Sequence, residues 1–140
     1  MRLKLILLHQ FHLASLFAPH LATKKEAAII NISSGLAFTP KADYAVYCAT
    51  KAAIHSITLS LRYQLKNTSV KVFEIAPPSV DTELGYQHRE DPNTTHGGIP
   101  VKEFLEEAMA GIRNDEFETM VGMAKKLRIG SKETFSILNR

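Results

Sequence analysis

The stretch AAIINISSG, residues 27–35, decides the fold once it is read with VKVFEIAPPSVDT, residues 70–82. Ala27 to Ile32 is a short apolar run containing β-branched residues, the pattern expected of a strand covered on both faces. Ser33, Ser34 and Gly35 close it. Val70 to Ala76 alternates, then runs apolar into Pro77-Pro78, residues that cannot continue a ladder. Between the two, Ser33–Asp43 holds Gly35 and Pro40 and reads as a loop. From about Tyr44 to Lys66, Ile54, Ile57, Leu61 and Leu65 recur at the 3.6-residue period of a helix. Strand, helix and strand in this order argue for parallel strands joined by a helical crossover.

The same alternation extends outward. Residues 3–22 read as an amphipathic helix, with Leu13, Leu16, Phe17 and Leu21 at helical spacing. Downstream, Val101–Asn114 is a helix with Phe104, Leu105, Ala108 and Ile112 on one side. Phe117–Val121 is a short strand, and Ser131–Leu138 a last helix, with Ser131 as its N-cap and Thr134 where a capping-box Glu would sit. Residues 79–100, with Gly85, Pro92, Gly97, Gly98 and Pro100, are long enough for a binding loop or lid. The chain therefore reads as one α/β domain over residues 1–140, built on a doubly wound parallel sheet. Ligands of such sheets bind at the carboxyl ends of the strands, and Ser33-Ser34 and Pro77–Thr82 both fall there.

Composition narrows the function. A net charge of +3 is too weak and scattered to indicate nucleic acid, and the basic run Lys125-Lys126-Leu127-Arg128 reads as a solvated helix face. Cys48 is the single cysteine, so no internal disulfide forms, and its place after Tyr47 suits a buried small hydrophobe. No run reaches the roughly 18 apolar residues of a membrane span. Arg2, Lys4 and Leu5–Leu8 imitate a signal peptide, but His9, Gln10 and His12 interrupt it, so a cytoplasmic location is expected. His9 and His12 lack a third metal ligand in reach, and the acidic residues Glu106, Glu107, Asp115, Glu116 and Glu118 read as solvated, so no metal is expected.

Three groups carry possible chemistry. Tyr47 and Lys51 lie four apart on one helix face. A phenol has an unperturbed pKa near 10, too high for a base at neutral pH, and a nearby ammonium favours its ionised form. With four Tyr and eleven Lys in the chain, the spacing by itself discriminates little. Ser34 stands thirteen residues before Tyr47 at a strand end, where a hydroxyl can orient a substrate oxygen. An isolated Ser-Ser pair there would simply start a turn. The Pro77-Pro78 corner turns the backbone of Ser79 and Val80 outward, offering N–H and C=O groups to a carboxamide, and Thr82 adds a hydroxyl. The alternative is an ordinary proline-terminated strand.

Taken together, "IINISSG", "YCATKAAIHSITLSLRYQL" and "VKVFEIAPPSVDTEL" resemble the C-terminal half of the short-chain dehydrogenase/reductase family. The likeness is greatest to the subgroup of the D-alanylation-operon oxidoreductase, where Pro-Pro replaces the family's usual Pro-Gly and "GIRNDEFETMVGMAKKLR" has a counterpart. The resemblance implies hydride transfer between NAD or NADP and a carbonyl or secondary alcohol. Ser34 would orient the substrate, Tyr47 act as general acid/base, and Lys51 tune Tyr47 and hold the nicotinamide ribose. Pro77, Val80 and Thr82 would line the carboxamide site. It further implies a homo-oligomer through helices 3–22 and 44–66, a small-molecule substrate, and no nucleic-acid or membrane partner. Two departures stand out. The Gly-rich loop that seats a pyrophosphate at a helix N-terminus is absent from the 140 residues, and residues 1–22 hold no Asn for the family's proton relay. The expectation is thus a truncated, partial Rossmann-like catalytic half whose first strand has lost a neighbour. A non-catalytic fragment that pairs with a full-length relative, or a gene-model fragment, is the alternative.

Overall fold

A computed structural model describes residues 2–82 and 97–130, with the side chains of 2–8 outside the description. The elements are α1 (Arg2–Leu21), β1 (Ala27–Ile32), α2 (Ala45–Gln64), β2 (Val70–Ala76), α3 (Val101–Arg113), β3 (Glu118–Met120) and α4 (Ala124–Ile129). Two short 3₁₀ turns, Gly35–Ala37 and Ala42–Tyr44, fill the segment expected as a loop. The helix expected over 131–138 and most of the long connection, residues 83–96, lie outside the described residues.

The three strands form a parallel sheet in the order β1-β2-β3, a partial Rossmann-like arrangement. Ala27 pairs with Val70 and Ile32 with Ile75, while Glu74 to Ala76 pair with Glu118 to Met120. Successive β2 side chains point to opposite faces, so Val72 and Ile75 enter different layers. On one face Val72 packs with Ala14 of α1 and Leu61 of α2, joined by Ile29, Ile57 and Leu65. On the other, Ile75 meets Ala108 of α3 and Val121, with Ile99, Phe104 and Ile112 around them. The amphipathic stripes of α1, α2 and α3 thus each find the sheet, as their spacing requires.

Contacts between elements are close where side chains are small. A Cβ on Gly111 would overlap the Thr119 side chain, so glycine sets the approach of α3 to β3. Glu107 of α3 fastens α4: its carboxylate accepts from Lys125 Nζ (2.6 Å) and from the Gly122 N–H (2.8 Å). The basic run of α4 does expose Lys125, Lys126 and Arg128, but Ala124 and Leu127 are buried.

One sequence expectation is corrected. Burial alternates along β1 instead of covering both faces, and Ile30 and Ile32 remain 45% and 40% exposed. Among the described residues β1 is paired on one side only, by β2. Among the described residues no helix covers its outward layer, because α1 and α2 occupy the opposite face and α3 packs on β2 and β3.

Candidate active site

The carboxyl ends of β1 and β2 are tied to one another. The Ser33 N–H donates to Ile75 O (2.9 Å), and the Gly35 N–H donates to Pro77 O (3.0 Å). The serine turn and the proline corner therefore share one rim, as expected from parallel strands in register. Ser34 is buried and caps the first 3₁₀ turn: its Oγ accepts from the Leu36 N–H at 3.1 Å. A hydroxyl that accepts a backbone bond keeps its own proton free to donate, so the cap leaves Ser34 chemically competent.

Lys51 reaches this rim from α2. Its Nζ donates to Ile32 O (2.9 Å), two residues before Ser34, and lies 5.7 Å from the centroid of the Tyr47 ring. Tyr47, one turn earlier on the helix, is 43% exposed. Burial lowers the pKa of the Lys51 ammonium below the usual lysine value, because desolvation disfavours the charged form. The structure thus brings Lys51 to both the β1 terminus and the Tyr47 ring. Cys48, between them in sequence, turns away and is buried, its Sγ near Lys41 N (3.4 Å) and Lys41 O (3.7 Å). That is the buried packing role its position suggested. A cleft of about 390 Å³ runs along this side of α2, lined by Leu36, Ala37, Pro40, Cys48 and Ala52 among others. Its lining is mostly apolar and includes none of Ser34, Tyr47 and Lys51.

The proline corner differs from expectation in one respect. The Ser79 carbonyl already accepts the Ile99 N–H at 3.0 Å, and the Asp81 N–H donates to Ile99 O at 2.8 Å. Val80 and Ile99 form a parallel bridge. Gly98 makes this possible, because a Cβ there would lie 2.6 Å from Val80 C and 2.7 Å from Asp81 N. Residues 97–99 thus brace the corner from outside. Thr82 lies just past the bridge and is engaged in contacts of its own.

Sequence reasoning missed the support beneath Ser34. Thr39 Oγ1, fully buried, donates to Leu127 O (2.7 Å), and Gly35 sits under α4, where a Cβ would come within 2.8 Å of Leu127 Cδ1. The only local signal was Gly35 following Ser34. Nothing near it in sequence points to a partner more than eighty residues away.

A sequence model of the short chain dehydrogenase family matches residues 4–93. The chain belongs to the short-chain dehydrogenase family. It is 44% identical over 127 residues to the uncharacterized oxidoreductase DltE of Bacillus subtilis, spanning 91% of this chain and 50% of the relative. It is 33% identical over 84 residues to an L-xylulose reductase of Caenorhabditis elegans, covering 58% of this chain and 34% of that one. The chain thus spans about half the length, or less, of these curated relatives. Among solved structures, a short chain dehydrogenase from Burkholderia cenocepacia, in complex with NADP, superposes with a TM-score of 0.80 at 25% identity, covering 97% of this chain and 56% of that one. The family explains the parallel sheet and the shared rim of strand ends. No described helix is long and apolar enough to cross a membrane.

Proposed function

We propose that the chain is the catalytic half of an NAD(P)-dependent oxidoreductase acting on a small-molecule carbonyl or secondary alcohol. The observation that carries this reading is the reach of the Lys51 ammonium to both Ile32 O and the Tyr47 ring. A fixed cation beside a phenol on a strand-end rim suits proton transfer to or from an alcohol oxygen. Tyr47 is the proton donor and acceptor. Ser34, buried and held by its cap, positions the substrate oxygen by donating its hydroxyl proton. Lys51 places positive charge beside the reacting oxygen and offers its remaining N–H bonds to a ribose hydroxyl.

A bound nicotinamide would supply the hydride to a carbonyl or accept it from an alcohol. The residues present fit that end of the cofactor and not the other. Lys51 at the β1 terminus and Pro77, bonded to Gly35, support a nicotinamide site to which Val80 and Thr82 are assigned, whereas the 140 residues contain no Gly-rich turn to cradle a pyrophosphate. Tight nucleotide binding therefore calls for a complementary half-domain. Exposed apolar side chains on α1 (Phe11, Leu13, Leu16, Phe17) and on α2 (Val46, Leu59) support a homo-oligomer through these helices, or pairing with a full-length relative.

The test is turnover with NADH or NADPH across a panel of aldehydes and ketones, for the chain combined with the nucleotide-binding half of its Bacillus relative. Tyr47→Phe lowers the rate at least about 100-fold, the scale of one general acid/base. Unchanged turnover in that variant overturns the assignment.

A further inference from the structure

One turn beyond Lys51 on α2, His55 meets two carboxylates. Its Nδ1 lies 2.8 Å from Glu74 Oε2 in the middle of β2 and 4.0 Å from Glu118 Oε2 on β3. One ligand-capable atom from each of the three residues falls within 4.8 Å of the others. The Glu74 side chain has no solvent exposure at all. Its Oε1 has no hydrogen-bond partner among the described residues.

A carboxylate out of contact with water is costly unless its oxygens are satisfied, and a single bond from an imidazole leaves half of that demand unmet. A second carboxylate lies within 4.0 Å of the same imidazole, so the pocket gathers two acids around one nitrogen and favours a cation there. We infer that His55, Glu74 and Glu118 form a binding site for one divalent transition-metal ion. An imidazole with two carboxylates suits zinc, manganese or cobalt.

The surroundings fit such a site. Arg128 Nε donates to Glu118 Oε1 (3.0 Å), which leaves Oε2 directed at His55, the outer-sphere arrangement that orients a ligating carboxylate. The Phe38 ring meets the imidazole edge-on at 4.7 Å, and the Arg128 guanidinium lies over the same ring at 4.9 Å. The ring thereby braces both the ligand and its support. His55 and Glu118 are 20% and 25% exposed, so an ion can enter from solvent. Ligands on a tetrahedral ion at about 2.0–2.1 Å stand roughly 3.3 Å apart. The His55–Glu74 contact therefore opens by about half an ångström on loading, with the imidazole proton moving to Nε2 and Nδ1 turning to the metal. Neither Glu74 nor Glu118 was legible as a ligand. The first hides in an apolar strand, and the second sits in an acidic run that reads as solvated.

The experiment titrates the metal-stripped full chain with Co²⁺, followed by its visible absorption, then competes with Zn²⁺. The expected result is one saturable equivalent of Co²⁺, displaced by Zn²⁺, with a rise in melting temperature on loading. Glu118→Gln, at the partly exposed ligand, weakens binding at least tenfold without changing the far-ultraviolet circular dichroism, and His55→Gln abolishes it. Replacing the exposed His9, His12 and His20 by Gln leaves binding unchanged. No saturable binding up to 1 mM metal would sink the proposal, as would affinity in Glu118→Gln and His55→Gln equal to that of the unsubstituted chain. The readout is binding alone, so it stands apart from the oxidoreductase assignment.

Discussion

β1 and β2 are neighbours of similar length and in register, yet they live in different environments. Every β2 residue from Val72 to Ala76 is buried, and the strand is paired on both sides. β1 alternates between half-buried and exposed residues and is paired, among the described residues, on one side only. The difference teaches which strand of the described sheet is enclosed and which is open. The completed part carries the core. The open part ends directly in the serine turn, so Ser34 follows the strand with less support. An unpaired edge with exposed isoleucines is also a template for another strand.

The contrast can be broken most strongly at β2. Phe73 is buried and stacks on Phe117 at 5.4 Å, so Phe73→Ala costs about 3–5 kcal/mol, most of a small domain's stability. Ile30→Ala on β1 costs less than about 1 kcal/mol. Paired urea melts of the two variants measure the gap, and equal losses would erase the distinction between the strands. Next in size is Gly35→Ala, where the new methyl presses on Leu127 and Ala124. It costs about 1–3 kcal/mol by overpacking, read in the same melts. The edge itself answers to Ile30→Lys, which lowers self-association in sedimentation experiments while leaving the melt of the monomer nearly unchanged.

Lys51 gives a prediction in pH. Its folded pKa is depressed by burial, so between that value and the usual lysine value near 10.4 the unfolded chain holds more protons. Stability from this group therefore rises with pH through the window, and its desolvation cost is present in full below it. Turnover moves the other way, because the cation beside Tyr47 is lost in the same window. The alkaline limb of the rate profile falls below the free lysine value, and Lys51→Arg shifts it upward in whatever activity survives. The smallest effect lies at the surface. Lys71 and Asp115 are both more than half exposed, and breaking their 2.6 Å pair by Lys71→Met changes stability by less than about 1 kcal/mol.

Local periodicity made α1, α2, α3 and the two longer strands legible. The stripe of Ile54, Ile57, Leu61 and Leu65 and the Pro-Pro stop after Ala76 both act over a few residues, and there expectation and structure agree to within a residue or two. Ser34, Tyr47 and Lys51 could be singled out because motif spacing and strand ends are sequence properties. What could not be read is contact between distant segments. The one-sided cover of β1 depends on where α3 lands. The bracing of Ser79–Asp81 by residues 97–99 is a bridge with no local signature. The burial of Glu74 follows from sheet order, since only a central strand hides a carboxylate so completely.

The bond from Thr39 to Leu127 has a consequence for how the protein comes into being. It closes a loop of 88 residues beneath the serine turn, and distant closures are slow because their entropy is spent before their contacts form. During synthesis the ribosome must release residue 127 before the turn at Ser34 can lock. A nascent chain stopped after β2 would hold Ser34, Tyr47 and Lys51 without the latch that fixes the first of them.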